Sequence, residues 1–243
     1  MKNTLKSYTL LLIGAAVLFN GCGQFNFPSD FPIGNQPSTG LTNVEIVQGL
    51  KEALSVGAQN SVSIASKTDG FFKNSELFIP FPEEAIKVKN TLESAGIKKP
   101  VDDFILSLNR AAEDAAQRAF PIFKNAITSM TITDAMGILK GNDNAATEYL
   151  KAKTTSQLKA EFQPIVRQSI NNVKVTSYWN PLVTNYNRLT VFTGSEQVNP
   201  NLEDYITTKA IEGLFILVAK EEALIRKDPA ARVTDILKKV FGN

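Results

Sequence analysis

Three polar groups hold whatever chemistry this chain can do. Asn109, Arg110, Glu113 and Asp114 form the first, Glu212, Glu221, Glu222 and Arg226 the second, and Arg232 with Asp235 the third. Carboxylates brought together could work as a general acid and base, or could hold a hard cation through several converging oxygens. The same spacings also suit ion pairing. Arg110 lies one helical turn from Glu113 and Asp114, and Glu222 precedes Arg226 by four residues, the favourable order for a helix pair. Charges buried between helices must be paired, so internal ion pairs compete with an open pocket as the reading of Asn109, Arg110, Glu113, Glu222, Arg226 and Arg232.

The residue inventory closes other routes. There is no histidine and a single cysteine, Cys22. That excludes a Ser-His triad, a Cys-His nucleophile, a zinc finger and an internal disulfide. Gly141-Asn142-Asp143-Asn144 only faintly resembles a calcium loop, and turn chemistry explains it better. Gly34, Gly40, Gly49 and Gly57 build no phosphate cradle after a strand. Two carboxylates could form a glycosidase pair, but nothing in their spacing favours that over ion pairing. Trp179 is either a ligand platform or a core aromatic with its indole nitrogen bonded. Neither a metal nor a cofactor is expected. Formal charge is +2 and Lys2 and Lys6 account for it, so the rest of the chain is neutral and gives no reason to expect nucleic acid.

The elements that must position these groups read as helices throughout. Val101, Phe104, Ile105, Leu108, Ala112, Ala115, Ala119, Phe123, Ile127 and Met130 make one apolar stripe at steps of three and four. It predicts a central rod over residues 101–127, kinked at Pro121. Thr42 and Glu45 form a capping box that opens a helix to about Ser66. Thr131 or Thr133 starts a short helix ending at Gly141. Asn144 starts another through Lys153, and Thr154 to Gln157 reads as a second capping box opening a separate helix bent at Pro164. Asn180-Pro181 and Asn199-Pro200 each begin a helix, the second being the most hydrophobic, Leu202 to about Lys227. Asp228-Pro229 opens the last. The sum is an all-α fold, a single bundle of about nine helices over residues 42–243.

One short extended insertion interrupts it. Phe71 to Pro82 follows an Asp69-Gly70 turn, and Pro80 and Pro82 bias their predecessors away from helix. Phe71, Phe72, Phe78 and Phe81 form a candidate interaction loop, either buried as core or exposed as a contact patch. In an extended segment Leu77, Ile79 and Phe81 point opposite to Phe78, so Phe78 is the ring expected at the surface.

Residues 1–22 resemble a lipoprotein signal. Lys2 and Lys6 precede an apolar run over residues 10–19, too short to span a bilayer. Gly21-Cys22 follows, with Phe19 where an aliphatic residue is usual. Lipidation at Cys22 would give two acyl chains and stable membrane anchoring. Residues 23–41 carry Pro28, Pro32 and Pro37 without helical pattern and read as a flexible tether of roughly 20–25 Å reach. No acidic cluster follows Cys22, which leans the placement towards the periplasmic side of a bacterial envelope.

With those segments read, the chain resembles a family of bacterial envelope proteins, many of them lipoproteins, known only as a domain of unknown function. The resemblance rests on Asp69-Gly70-Phe71, Ile79-Pro80-Phe81-Pro82, Asn109-Arg110-Ala111-Ala112-Glu113, Met130 to Ala135, Ala145 to Tyr149, Ala231 to Thr234 and Val240-Phe241-Gly242. It implies a mostly helical envelope protein and assigns no activity and no catalytic residue. The expectation is a lipid-anchored body that binds an envelope protein or a small ligand. A carboxylate-dependent enzyme and a purely structural component are the alternatives.

Overall fold

A computed structural model describes residues 42–96, 98–171, 175–194, 197–198 and 201–227. Thr42 opens the first helix as expected: its hydroxyl accepts from the Glu45 amide at 3.2 Å and the Glu45 carboxylate accepts from the Thr42 amide at 2.8 Å. This helix, α1, spans Asn43–Ser66. A turn-rich loop follows, extended over residues 78–82, and a 3-10 turn at Glu83–Ala85 leads into α2, Ile86–Ser94. Gly96, at φ 81°, ends that helical stretch.

The predicted rod is two helices, α3 (Lys98–Ala116) and α4 (Ala119–Thr128). Pro121 is the physical cause of the break. Its ring would meet the carbonyl of residue 117 and it has no amide to donate, so the helix restarts with Pro121 in the first turn of α4, where no donor is needed. The apolar stripe is as read: Val101, Phe104, Leu108, Ala112, Ala115, Ala119 and Phe123 are fully buried. Thr131 caps α5 (Ile132–Lys140) through a box with Asp134, and Gly141 follows its end.

The second expected capping box does not start a helix. α6 runs unbroken over Ala145–Asn171, with Thr154 and Thr155 inside it and Pro164 in its second half. Their hydroxyls donate instead to the carbonyls of Leu150 and Lys151, each at 2.6 Å, four residues back. α7, Val175–Thr193, begins before Asn180 and carries Pro181 inside. α8, Leu202–Lys227, spans the residues expected, and the Asn201 side chain accepts from the Asp204 amide at its start.

The described residues thus hold eight α-helices and no strand, an all-α body. The expected last helix, with Arg232 and Asp235, lies outside them, as do Cys22, residues 1–41 and the side chain of Trp179. α8 packs against α1, α3 and α6 and shares the centre with α3. Where α1 crosses it, a Cβ on Gly57 would stand 3.2 Å from Glu221 Cβ, so the missing side chain sets the close approach. Phe123 and Phe215 meet edge to face across the core, with ring centres 5.7 Å apart. Among the described residues no helix is long and apolar enough to cross a membrane.

Candidate functional site

The loop after α1 is held by the polar side chains of α3. Asp69 sits at φ 66°, the left-handed conformation, and turns the chain so that Gly70 packs against the end of α1. A Cβ on Gly70 would lie 2.4 Å from the Ile64 carbonyl oxygen, so only glycine fits. Beyond that turn the amides of Phe71 and Phe72 both donate to Glu113 Oε1, at 3.1 and 3.2 Å. Arg110 donates to Glu113 Oε2 and to Asp69 Oδ1, each at 2.6 Å. Lys73 reaches the other Asp69 oxygen at 2.8 Å. Asn109 holds the extended part. Its Oδ1 accepts from the Ile79 amide at 2.9 Å, and its Nδ2 donates to the Ile79 carbonyl at 3.0 Å.

These contacts move the charges as physics requires. Hydrogen bonds from Lys73 and Arg110 hold the Asp69 carboxyl below its ordinary range, and those to Glu113 and Asp69 raise the already high Arg110. Glu113 is 3% exposed and each of its oxygens accepts from a donor. A buried carboxylate needs such partners, and a charge-assisted bond is stronger than a neutral one.

The pinned loop divides its apolar side chains as their alternation predicts. Phe71, Leu77, Ile79 and Phe81 are buried, while Phe78 is 38% exposed. Phe71 lies against α8 at Gly213, where a Cβ would stand 2.8 Å from the ring. Phe81 meets Phe104 edge to face at 5.7 Å. Phe72, half-buried, stacks at a tilt 6.1 Å from Phe78 and carries the Arg110 guanidinium 5.8 Å from its ring centre. Of the four candidate loop residues, two therefore serve the core and two form an aromatic patch beside Arg110.

That loop and α8 enclose a cleft of about 420 Å³. Phe78, Pro80, Glu76 and Glu83 line the loop side, and Tyr205, Lys209, Glu212 and Ile216 the α8 side. The Tyr205 hydroxyl donates to the Pro80 carbonyl at 3.2 Å, tying the two walls together. A second depression of about 270 Å³ continues past Tyr205 along Pro82, Asn201, Asp204 and Thr208.

The rest of the sequence-derived cluster is elsewhere. Glu222, 5% exposed, accepts from the amides of Ala146 and Thr147 at 3.0 and 2.8 Å and from the Thr147 hydroxyl at 2.7 Å. It caps α6 from a position on α8, accepting from two amides of the first turn that have no partner within the helix. Arg226 holds Glu222 at 2.9 Å and also donates to the Ile138 carbonyl at 3.0 Å. Asn109, Arg110 and Glu113 thus fasten the loop while Glu222 and Arg226 fasten a helix start, two clasps rather than one pocket. Glu221 bonds Asn60 and Glu212 pairs with Lys209. Among the described residues no group of three or more potential metal ligands converges.

Sequence reasoning missed Asp69 as the second partner of Arg110, and Tyr205 as the bridge to the loop. The Asp69-Gly70 pair signalled a turn, but its partner 41 residues on leaves no local trace. No curated protein and no solved structure matches the chain. A family model described as protein of unknown function (DUF4197) matches residues 40–242. Spanning nearly the whole body, that match means the chain belongs to the DUF4197 family.

Proposed function

We propose that this protein is a lipid-anchored component of the bacterial envelope, facing the periplasm, whose helical body is a binding module. Cys22 behind its apolar run is the proposed acylation site and the membrane its first partner. The cleft between the loop and α8 is the proposed binding site, and an envelope protein or peptide its class of occupant. One observation carries this. Phe78 is exposed on the cleft rim although its amide bonds the Asn74 carbonyl and the next residue, Ile79, is pinned by buried Asn109, so the ring is presented in advance rather than ordered on binding. The enzyme alternative is weakened because Glu113 and Glu222, its best carboxylates, are saturated by backbone and arginine donors. A photo-crosslinking residue at position 78, installed in cells, tests the reading. A discrete adduct is expected there and not from position 44 at the start of α1. Equal labelling at both positions would leave the body as a purely structural component.

A further inference from the structure

The cleft and the depression beside it are one trough, because Tyr205, Lys209 and Glu212 line both. Along α8 the trough runs from Leu202 to Ile216, roughly 20 Å at 1.5 Å per residue. That is too long for one small metabolite and fits about six residues of extended chain at 3.3 Å each. Among the described residues its charged lining is Glu76, Glu83, Asp204 and Glu212 with Lys209, four carboxylates to one ammonium within the trough itself. Three of these carboxylates hold lysines: Glu212 holds Lys209, while Glu76 and Asp204 hold Lys220 and Lys159 from outside the trough. All three pairs are solvent-exposed, and exposed pairs hold so weakly that an incoming cation can take over the carboxylate. Phe78 and Ile216 add half-exposed apolar surface at one end.

We propose that the trough takes an extended basic peptide segment, with lysine or arginine side chains against Glu76, Glu83 and Glu212 and an apolar side chain on Phe78 and Ile216. This rests on the cleft being the binding site and names the chemistry of its occupant. An electrostatic contribution of this kind makes association salt-dependent.

The test uses three fluorescent seven-residue peptides of equal length and apolar content, alternating leucine with lysine, serine or glutamate. Each is titrated against the full body by anisotropy at low and physiological salt. The lysine peptide is expected to bind at least about tenfold tighter than the serine peptide, with the advantage shrinking as salt rises. Glu83→Lys/Glu212→Lys, both exposed positions whose folding is checked by thermal melting, is expected to remove that advantage. Phe78→Ser is expected to weaken all binding. If the serine or glutamate peptide binds as well as the lysine peptide and still responds to Phe78→Ser, the basic-peptide proposal is overturned and the cleft reading survives. If no peptide binds, or none responds to Phe78→Ser, the peptide proposal is overturned. The crosslink at position 78 then decides separately whether the cleft binds anything.

Discussion

Asn109 pairs with Ile79 as a neighbouring strand would, accepting from its amide at 2.9 Å and donating to its carbonyl at 3.0 Å. One amide side chain on a helix therefore replaces the sheet that an extended segment normally needs. Asn109→Leu leaves both Ile79 groups unpaired in a buried site and is expected to destabilise by about 2–6 kcal/mol, at 1–3 kcal/mol per orphaned group. Asn109→Asp keeps the acceptor but turns a buried carboxylate oxygen towards the Ile79 and Ile105 carbonyls, so in urea unfolding it should cost at least as much as Asn109→Leu.

Glu222 does for α6 what Asn109 does for the loop. Glu222→Gln places an amide among the Ala146 and Thr147 donors and removes the buried carboxylate charge that Arg226 holds. A loss of about 3 kcal/mol is expected, within the range for breaking a buried pair on one side. Hydrogen exchange should locate it, with the Ala146 and Thr147 amides losing protection well before the centre of α6.

Acid should loosen the Asp69 turn. Its carboxyl is held below the ordinary value by Lys73 and Arg110, so the unfolded chain takes up the proton at a higher pH than the folded one. That stabilisation is complete above the ordinary carboxylate range and disappears as pH falls through the depressed folded value. Asp69→Asn keeps a residue that tolerates the left-handed backbone and removes the titration. Between pH 7 and pH 2 the variant's urea midpoint should fall less steeply than the parent's. Parallel curves would show that Asp69 contributes nothing to the acid response.

Two glycines should answer alanine in opposite directions. A Cβ at Gly213 meets the Phe71 ring at 2.8 Å, and the ring is fully buried, so Gly213→Ala is expected to destabilise by about 1–3 kcal/mol. Gly137, in α5, has nothing within 4 Å of its Cβ position. There the helix preference of alanine acts alone, and Gly137→Ala should stabilise by about 0.5–1 kcal/mol. Thermal melts of the two variants side by side decide it.

The anchor proposal has its own check. Cys22→Ser should move the protein from the membrane pellet to the soluble fraction and abolish labelling by radioactive palmitate. A variant that still pellets and still labels would end the lipoprotein reading.

Local signals carried most of the fold into the sequence. The Thr42–Glu45 and Thr131–Asp134 boxes, the stripe from Val101 to Ile127 and the alternation around Phe78 each involve neighbours a few residues apart, and each appears as read. Failures came where a distant residue decides. Thr154 to Gln157 has the pattern of a helix start, but α6 continues because its true start is capped by Glu222, 75 residues away. The same holds for the site. The pairs Arg110–Glu113 and Glu222–Arg226 were legible at helical spacing. That they clasp separate segments was not, since Ile79, Asp69 and Thr147 join them only through the packing of helices.

The central place of α8 constrains the order in which the chain can assemble. A nascent chain ending before Leu202 holds the apolar faces of α1, α3 and α6 without the helix that packs on all three. It also lacks Glu222, the carboxylate that accepts from the Ala146 and Thr147 amides in the first turn of α6. The core that α1, α3 and α6 share is therefore complete only once α8 has joined it. Until α8 docks, three apolar helix faces lack the surface that covers them, so a chain cut before Leu202 is expected to expose them and aggregate.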